Sequence, residues 1–287
     1  MEGAEMTRVG VLGSGIMGAG LTEVIARAGY EVIVRSRRRS AAEDLLARVT
    51  RSLDRHVEKG KLSDEDRKDT LGRIGITDHL GALVDCDLVI ESVVEDLAVK
   101  KALFGELEQV VQEEAILATN TSTFPIVELA VQTQRPDRVC GLHFFNPAPA
   151  MRLVEIVRPL TASDQTVETL RGFALRCGKE PVVVADRAGF VVNALLFPYL
   201  NNAVRMLESG TASMEDIDTA MCGGCNFPMG PFALLDLVGL DTSLSILDAL
   251  YVEFRDPNYA AVPTLRRMVA AGHLGRKSGQ GFYIYGG

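Results

Sequence analysis

The sequence predicts an α/β protein, a doubly wound sheet with a helical excursion, followed by a small all-helical C-terminal domain. Three observations carry this expectation. Near the N-terminus a short apolar strand, Arg8–Leu12, runs into Gly13-Ser14-Gly15-Ile16-Met17-Gly18 and then into a helical pattern that stops at Gly29. Apolar strand patterns recur as far as Asp186 with helical patterns between them, as βα alternation requires. Beyond Asp186 the periodicity is helical only. The 287 residues therefore divide into 1–188 and 189–287, each within the ordinary size of a domain.

The first strand, the GxGxxG turn and the helix are completed by a second strand, Glu31–Arg35, into a βαβ unit of Rossmann type. The glycines have separate duties: a tight turn, close approach of bare backbone to a pyrophosphate, and close packing of helix on strand. Residues 13, 15, 16, 17 and 18 are thus candidates for a dinucleotide site at a helix N-terminus. The end of the second strand ordinarily carries a carboxylate for the ribose hydroxyls of NAD. Here it reads Arg35-Ser36-Arg37-Arg38-Arg39. A small hydroxyl residue followed by guanidiniums suits a 2′-phosphate, which predicts NADP(H) over NAD(H), with Ser36, Arg37, Arg38 and Arg39 as its contacts.

Two helices follow, Ala41–Gly60 and Leu62–Leu71, the second with a polar Ser63-Asp64-Glu65-Asp66 start. Arg55 and Lys59 share a face of the first, and taken alone they read as a solvated pair. The run Asp87–Glu95 is a buried-strand pattern ending in carboxylates, with Lys100 in the helix after it. Ala115–Thr119 runs into Asn120-Thr121-Ser122-Thr123, and Val139–Phe144 delivers His143 to a strand end before Asn146-Pro147. Met151–Val157 carries an isolated carboxylate, Glu155, which needs a partner if buried; His143 is the obvious one. A lone histidine among apolar residues is ordinarily a core residue. With Ser122, Asn146 and Glu155 on neighbouring strand ends beside a dinucleotide site, the acid/base reading prevails, and it points to hydride transfer coupled to proton transfer at a carbinol.

Val182–Asp186 reads as the last strand, and helices are expected over Phe190–Glu208 with Pro198 inside it, from Ser213, from Pro231 to Val238 and from Asp241. Leu195, Leu196, Phe197, Leu234, Leu235, Leu244, Ile246 and Leu247 are more apolar positions than one thin helical layer should bury. Cys222-Gly223-Gly224-Cys225 lacks two further ligands at paired spacing, so no metal site is expected. A net charge of −8 argues against a nucleic-acid surface. Five scattered cysteines and the absence of any apolar run near 18 residues point to reduced thiols in a cytoplasm and no membrane span.

The sequence resembles the 3-hydroxyacyl-CoA dehydrogenase family over nearly its whole length. The matching stretches are GSGIMG, ESVVE, TNTST, GLHFFNPAPAMRLVEIV, DRAGFVVNALLFPYLNNAV, FPMGPFALLDLVGLD and GRKSGQGFYIY. The resemblance implies His143 as the acid/base, Glu155 as its orienting partner, and Ser122 and Asn193 around the substrate oxygen. It also implies Glu95 and Lys100 along the cofactor site, Arg55 and Lys59 on coenzyme A phosphates, and a homodimer formed through the helical domain, which would also contact substrate. Ser36 departs from the Asp of NAD-using relatives. An acyl carrier protein in place of coenzyme A, in making polyketide extender units, and a non-catalytic dinucleotide-binding protein are the alternatives.

Overall fold

A computed structural model describes residues 6–286. The chain forms two compact units, Met1–Asp186 and Arg187–Gly287. In the first unit the order is β1 (Arg8–Leu12), α1 (Ile16–Arg27), β2 (Glu31–Arg35), α2 (Arg39–Glu58), α3 (Asp64–Gly72), β3 (Ile74–Thr77), β4 (Leu88–Glu91), α4 (Leu97–Glu108), β5 (Ile116–Thr119), α5 (Val127–Ala130), β6 (Val139–Phe144), β7 (Leu153–Arg158), α6 (Asp164–Arg176) and β8 (Glu180–Ala185). They build one eight-stranded sheet of order β3-β2-β1-β4-β5-β6-β7-β8. The sheet departs from all-parallel at one place: β7 runs antiparallel to β6, and β8 runs parallel to β7. The β6–β7 connection is too short for the crossover that a parallel neighbour needs, whereas α6 supplies one between β7 and β8.

The central strands β4, β5 and β6 are buried throughout, which is why they read as continuous apolar runs rather than as alternating ones. Their side chains join those of α1, α2 and α6 in one core, including Leu21, Ile25, Leu45, Leu53, Ile90, Leu142 and Phe173. The helical excursion is α2 and α3, inserted between β2 and β3; Ser63 caps α3, its Oγ accepting from the Asp66 N–H at 3.0 Å.

Some boundaries differ from the sequence expectation. The carboxylate-rich run expected as strand as far as Glu95 leaves the sheet at Glu91, and residues 92–96 form a loop. The expected Ala41 helix starts at Arg39 and ends at Glu58. In the second unit the first helix starts at Val192, because Phe190 sits at φ 49 beside Gly189 at φ 73, outside helical geometry.

The second unit holds α7 (Val192–Glu208), α8 (Met214–Cys225), α9 (Pro231–Val238), α10 (Leu240–Phe254) and α11 (Pro263–Ala270) around a core that includes Phe197, Leu200, Phe232, Leu235, Leu247 and Leu265. Pro198 lies inside α7. Asp236, almost fully buried, accepts from the Phe282 and Tyr283 N–H groups at 2.8 Å each and so pins the GQGFY segment. A Cβ at Gly281 would stand 2.0 Å from the Asp236 carboxylate, which explains the glycine there. Leu195, Leu237 and Val252 are exposed apolar side chains of this unit. No helix among the described residues is long and apolar enough to cross a membrane.

Candidate active site

The carboxyl ends of β1, β4, β5 and β6 meet along one edge of the sheet, the place where open α/β sheets bind ligands. At β1 the glycines behave as their spacing predicts. Gly13 adopts φ +110, and a Cβ there would lie 2.2 Å from the Ser92 carbonyl oxygen. A Cβ on Gly18 would stand 2.1 Å from the Gly13 carbonyl. A Cβ on Gly15 would meet nothing within 4 Å. Two glycines are therefore demanded by the fold, and the third leaves bare backbone facing open space at the N-terminus of α1. That helix has no side-chain cap and no acid in its first turn, so its N–H groups and dipole are free for an anion. The loop fits a dinucleotide diphosphate. Ile16 is exposed and Met17 half-buried at the same turn.

At the end of β2, Ser36 is 8% exposed and its Oγ lies 3.1 Å from Ser14 Oγ, tying this strand end to the glycine loop. Arg37, Arg38 and Arg39 are exposed; Arg39 Nε faces Glu43 at 3.4 Å, and Arg37 and Arg38 make no ion pair among the described residues. Arg35 points elsewhere, to the Asp78 carbonyl.

At the end of β4 a carboxylate network organises the next loop. Glu91, wholly buried, accepts from Lys100 Nζ at 2.7 and 2.9 Å, from Thr119 Oγ1 at 2.7 Å and from the Val93 N–H at 2.6 Å. Lys100 is 1% exposed, and its ammonium also reaches Glu95 at 3.1 Å. Glu95 in turn accepts from the Thr121 hydroxyl, the Ser122 N–H and the Thr123 hydroxyl. Partial burial pushes the Glu95 carboxyl up, but the Lys100 charge and the Thr121 and Ser122 hydrogen bonds outweigh it, leaving the group below its ordinary value. Lys100 is therefore turned inward and acts on the site edge through Glu95. The sequence reading passes over Glu91, although it carries the same signal as Glu155, a carboxylate inside an apolar strand.

At β5 and β6 the predicted acid/base group assembles. Asn120 Oδ1 accepts from the Phe144 N–H at 2.8 Å and joins the two strand ends. The antiparallel register places His143 directly opposite Glu155, so the two side chains share one face. His143 Nδ1 is 2.8 Å from Glu155 Oε2, and Ser122 Oγ is 3.0 Å from His143 Nε2. The imidazole is 4% exposed and the carboxylate 0%. A carboxylate can only accept, so Nδ1–H donates to Glu155, which leaves Nε2 turned toward Ser122 Oγ. The Phe145 ring packs edge-on against the imidazole, with centroids 4.6 Å apart.

Family models match both units. The model described as 3-hydroxyacyl-CoA dehydrogenase, NAD binding domain, covers residues 8–187, and that described as 3-hydroxyacyl-CoA dehydrogenase, C-terminal domain, covers 189–285. The chain belongs to the 3-hydroxyacyl-CoA dehydrogenase family. A 3-hydroxybutyryl-CoA dehydrogenase of Mycobacterium tuberculosis is 50% identical over 284 residues, 97% of this chain and 98% of the relative. The mitochondrial hydroxyacyl-coenzyme A dehydrogenase of Sus scrofa is 43% identical over 96% of this chain and 90% of its own. The crystal structure of an (S)-3-hydroxybutyryl-CoA dehydrogenase from Ralstonia eutropha superposes with a TM-score of 0.96 at 41% identity, covering 99% of this chain and 100% of that one.

The remaining residues expected to act in this family member fall in three places. Asn193 belongs to the second unit, in the first turn of α7. Asn146 is exposed in the turn after β6 and, with Arg55, lines a cavity beside α1 and α2. Lys59 is exposed just past the end of α2. The cysteines take no part in this group: Cys86, Cys140 and Cys177 have thiols pushed up to about 12 by burial, and Cys222 and Cys225 lie in α8. Among the described residues no group of His, Cys, Asp and Glu is placed to hold a metal.

Proposed function

We propose that this dehydrogenase interconverts short-chain 3-oxoacyl and 3-hydroxyacyl thioesters of coenzyme A, with 3-hydroxybutyryl-CoA as the representative substrate. The Ser122–His143–Glu155 chain at the strand ends beside the glycine loop carries this reading, because a dinucleotide-binding scaffold without catalysis has no use for it. The bound dinucleotide supplies and accepts a hydride at its nicotinamide ring. Gly13, Gly15, Ile16, Met17 and Gly18 would hold its diphosphate, with Glu95 and Asn120 along the strand ends and Lys100 keeping Glu95 in place.

His143 moves the hydroxyl proton at Nε2. It starts neutral when the alcohol is oxidised and protonated when the ketone is reduced, and Glu155 holds the ring and offsets the imidazolium charge. Ser122 donates to the substrate oxygen as negative charge develops there, a preorganised effect worth about 3–4 kcal/mol; for Asn193, in the second unit, a substrate contact rests on the family resemblance alone. Asn146, Arg55 and Lys59 are the contacts for the rest of the thioester. The relatives named above act on coenzyme A esters by name, which favours that carrier over an acyl carrier protein.

Purified protein should reduce acetoacetyl-CoA, and NADPH should be the better reductant. Steady-state rates with NADPH and with NADH check both points: no turnover with either refutes the activity, and a higher kcat/KM with NADH refutes the cofactor preference. The exposed Leu195, Leu237 and Val252 of the helical unit support a homodimer. Sedimentation over a concentration series should return twice the 31.1 kDa chain mass, and a concentration-independent monomer would refute it.

A further inference from the structure

Three ionisable side chains stand in line behind the strand ends: Glu91, wholly buried, Lys100, 1% exposed, and Glu95, which lies at the edge of the site. Burying a carboxylate and an ammonium is a poor way to gain stability, because desolvation consumes most of the attraction and apolar side chains of similar volume often hold a fold as well. What the charges hold is visible in their hydrogen bonds.

The last ladder bond at the end of β5 runs from the Asn120 N–H to the Glu91 carbonyl at 2.8 Å. Beyond it the chain leaves the sheet, so side chains rather than the ladder fix residues 121–123. Glu95 Oε1 accepts from the Ser122 N–H at 3.0 Å and from the hydroxyls of Thr121 and Thr123, and the turn closes round that one oxygen. Ser122 Oγ leaves the same turn toward His143 Nε2. Glu95 is held in its turn by Lys100, and Lys100 by both oxygens of Glu91. Glu91 is anchored to the sheet end by Thr119 and to the next loop by the Val93 N–H. That loop is the one whose Ser92 carbonyl packs on Gly13. One buried carboxylate thus joins the glycine loop to the hydroxyl that faces the imidazole.

We propose that Glu91 is a positioning residue for the reaction, acting through Lys100 and Glu95 to hold Ser122 where it can donate to the substrate oxygen. This rests on the role given to Ser122 above and deepens it: the buried ion pair is retained for the geometry of the donor and not for the stability of the fold.

The test replaces the pair by apolar side chains, Glu91→Met with Lys100→Met, which should leave the melting temperature within a few degrees of the original. At saturating dinucleotide, kcat for acetoacetyl-CoA reduction should fall ten- to a hundredfold, the penalty of a misplaced donor, with KM for acetoacetyl-CoA within about threefold. In a Ser122→Ala background the same double replacement should cost less than about threefold, because the effect passes through Ser122. The pH profile gives a further readout. The groups that face Glu95 are Lys100, with Glu91 behind it, and the donors of residues 121–123, with His143 one hydrogen bond beyond Ser122. Burial pushes the Glu95 carboxyl up, and the Lys100 charge is the largest influence opposing it. Without that charge Glu95 should protonate as pH falls and release the Ser122 N–H, so kcat should drop on the acid side. The original enzyme, whose reduction requires protonated His143, should show no such drop. Glu91→Gln, which keeps the side chain's size and removes its charge, is the second variant and should show the same loss of kcat and the same dependence on Ser122. A folded variant with kcat within threefold of the original, or a loss that is as large without the Ser122 hydroxyl as with it, would overturn the assignment. Full activity of Ser122→Ala itself would instead refute the role given to Ser122.

Discussion

Replacing His143 by Gln should lower kcat for acetoacetyl-CoA reduction by about a thousandfold, within the 10²–10⁴ that a positioned acid/base contributes. The KM for the dinucleotide should change less than about threefold, because the imidazole faces Ser122 and Glu155 and not the glycine loop. Gln is preferred to Ala because its amide can still donate toward Glu155. Truncation would strip a fully buried carboxylate of a charge-assisted bond and cost on the order of 1–3 kcal/mol in stability, mixing folding with chemistry. Glu155→Gln keeps shape but removes the group that selects the tautomer and offsets the imidazolium, so it should also depress kcat. Melting temperatures alongside kcat and both KM values separate the two kinds of effect. A His143→Gln protein with kcat within tenfold of the original would remove His143 from the mechanism.

The pairing of His143 with Glu155 is readable in the sequence because two local rules converge on it. An apolar strand that ends in His and a second apolar strand interrupted by one Glu each pose a burial problem, and the antiparallel register of β6 and β7 solves both with one hydrogen bond. The glycine loop was readable because Gly13 and Gly18 are fixed by contacts a few residues away or on the next strand. Less legible was the layer behind the site. Glu91, Lys100 and Thr119 form their buried network through a strand neighbour and a helix turn, and the strand boundary that puts Glu91 rather than Glu95 at the sheet edge is set by the loop fold and not by hydropathy. The reversal at β7 follows from a connection length, which is visible in the chain only once both strand ends are known.

Ser36→Asp should reverse the proposed preference for NADPH. Ser36 closes β2 with its Oγ on Ser14, so a side chain here stands beside the glycine loop. Immediately after it, α2 begins with Arg38 as an uncapped N-terminal flank and Arg39 in the first turn, with no acid in that turn. Cations at a helix N-terminus oppose the dipole and are unfavourable unless an anion shares the site. On the proposed preference for NADPH, its extra phosphate would meet these helix N–H groups and the Arg37 and Arg38 guanidiniums, which make no ion pair among the described residues, a local charge within a chain of net charge −8. A carboxylate at position 36 adds like-charge repulsion of about 2–4 kcal/mol against that phosphate, a 30- to 1,000-fold loss in kcat/KM for NADPH. With NADH the same carboxylate can accept from the ribose hydroxyls, so kcat/KM should hold or rise. Only the ratio of the two values bears on the assignment, since a general defect lowers both together. An unchanged ratio in Ser36→Asp would mean that the basic turn is merely solvated.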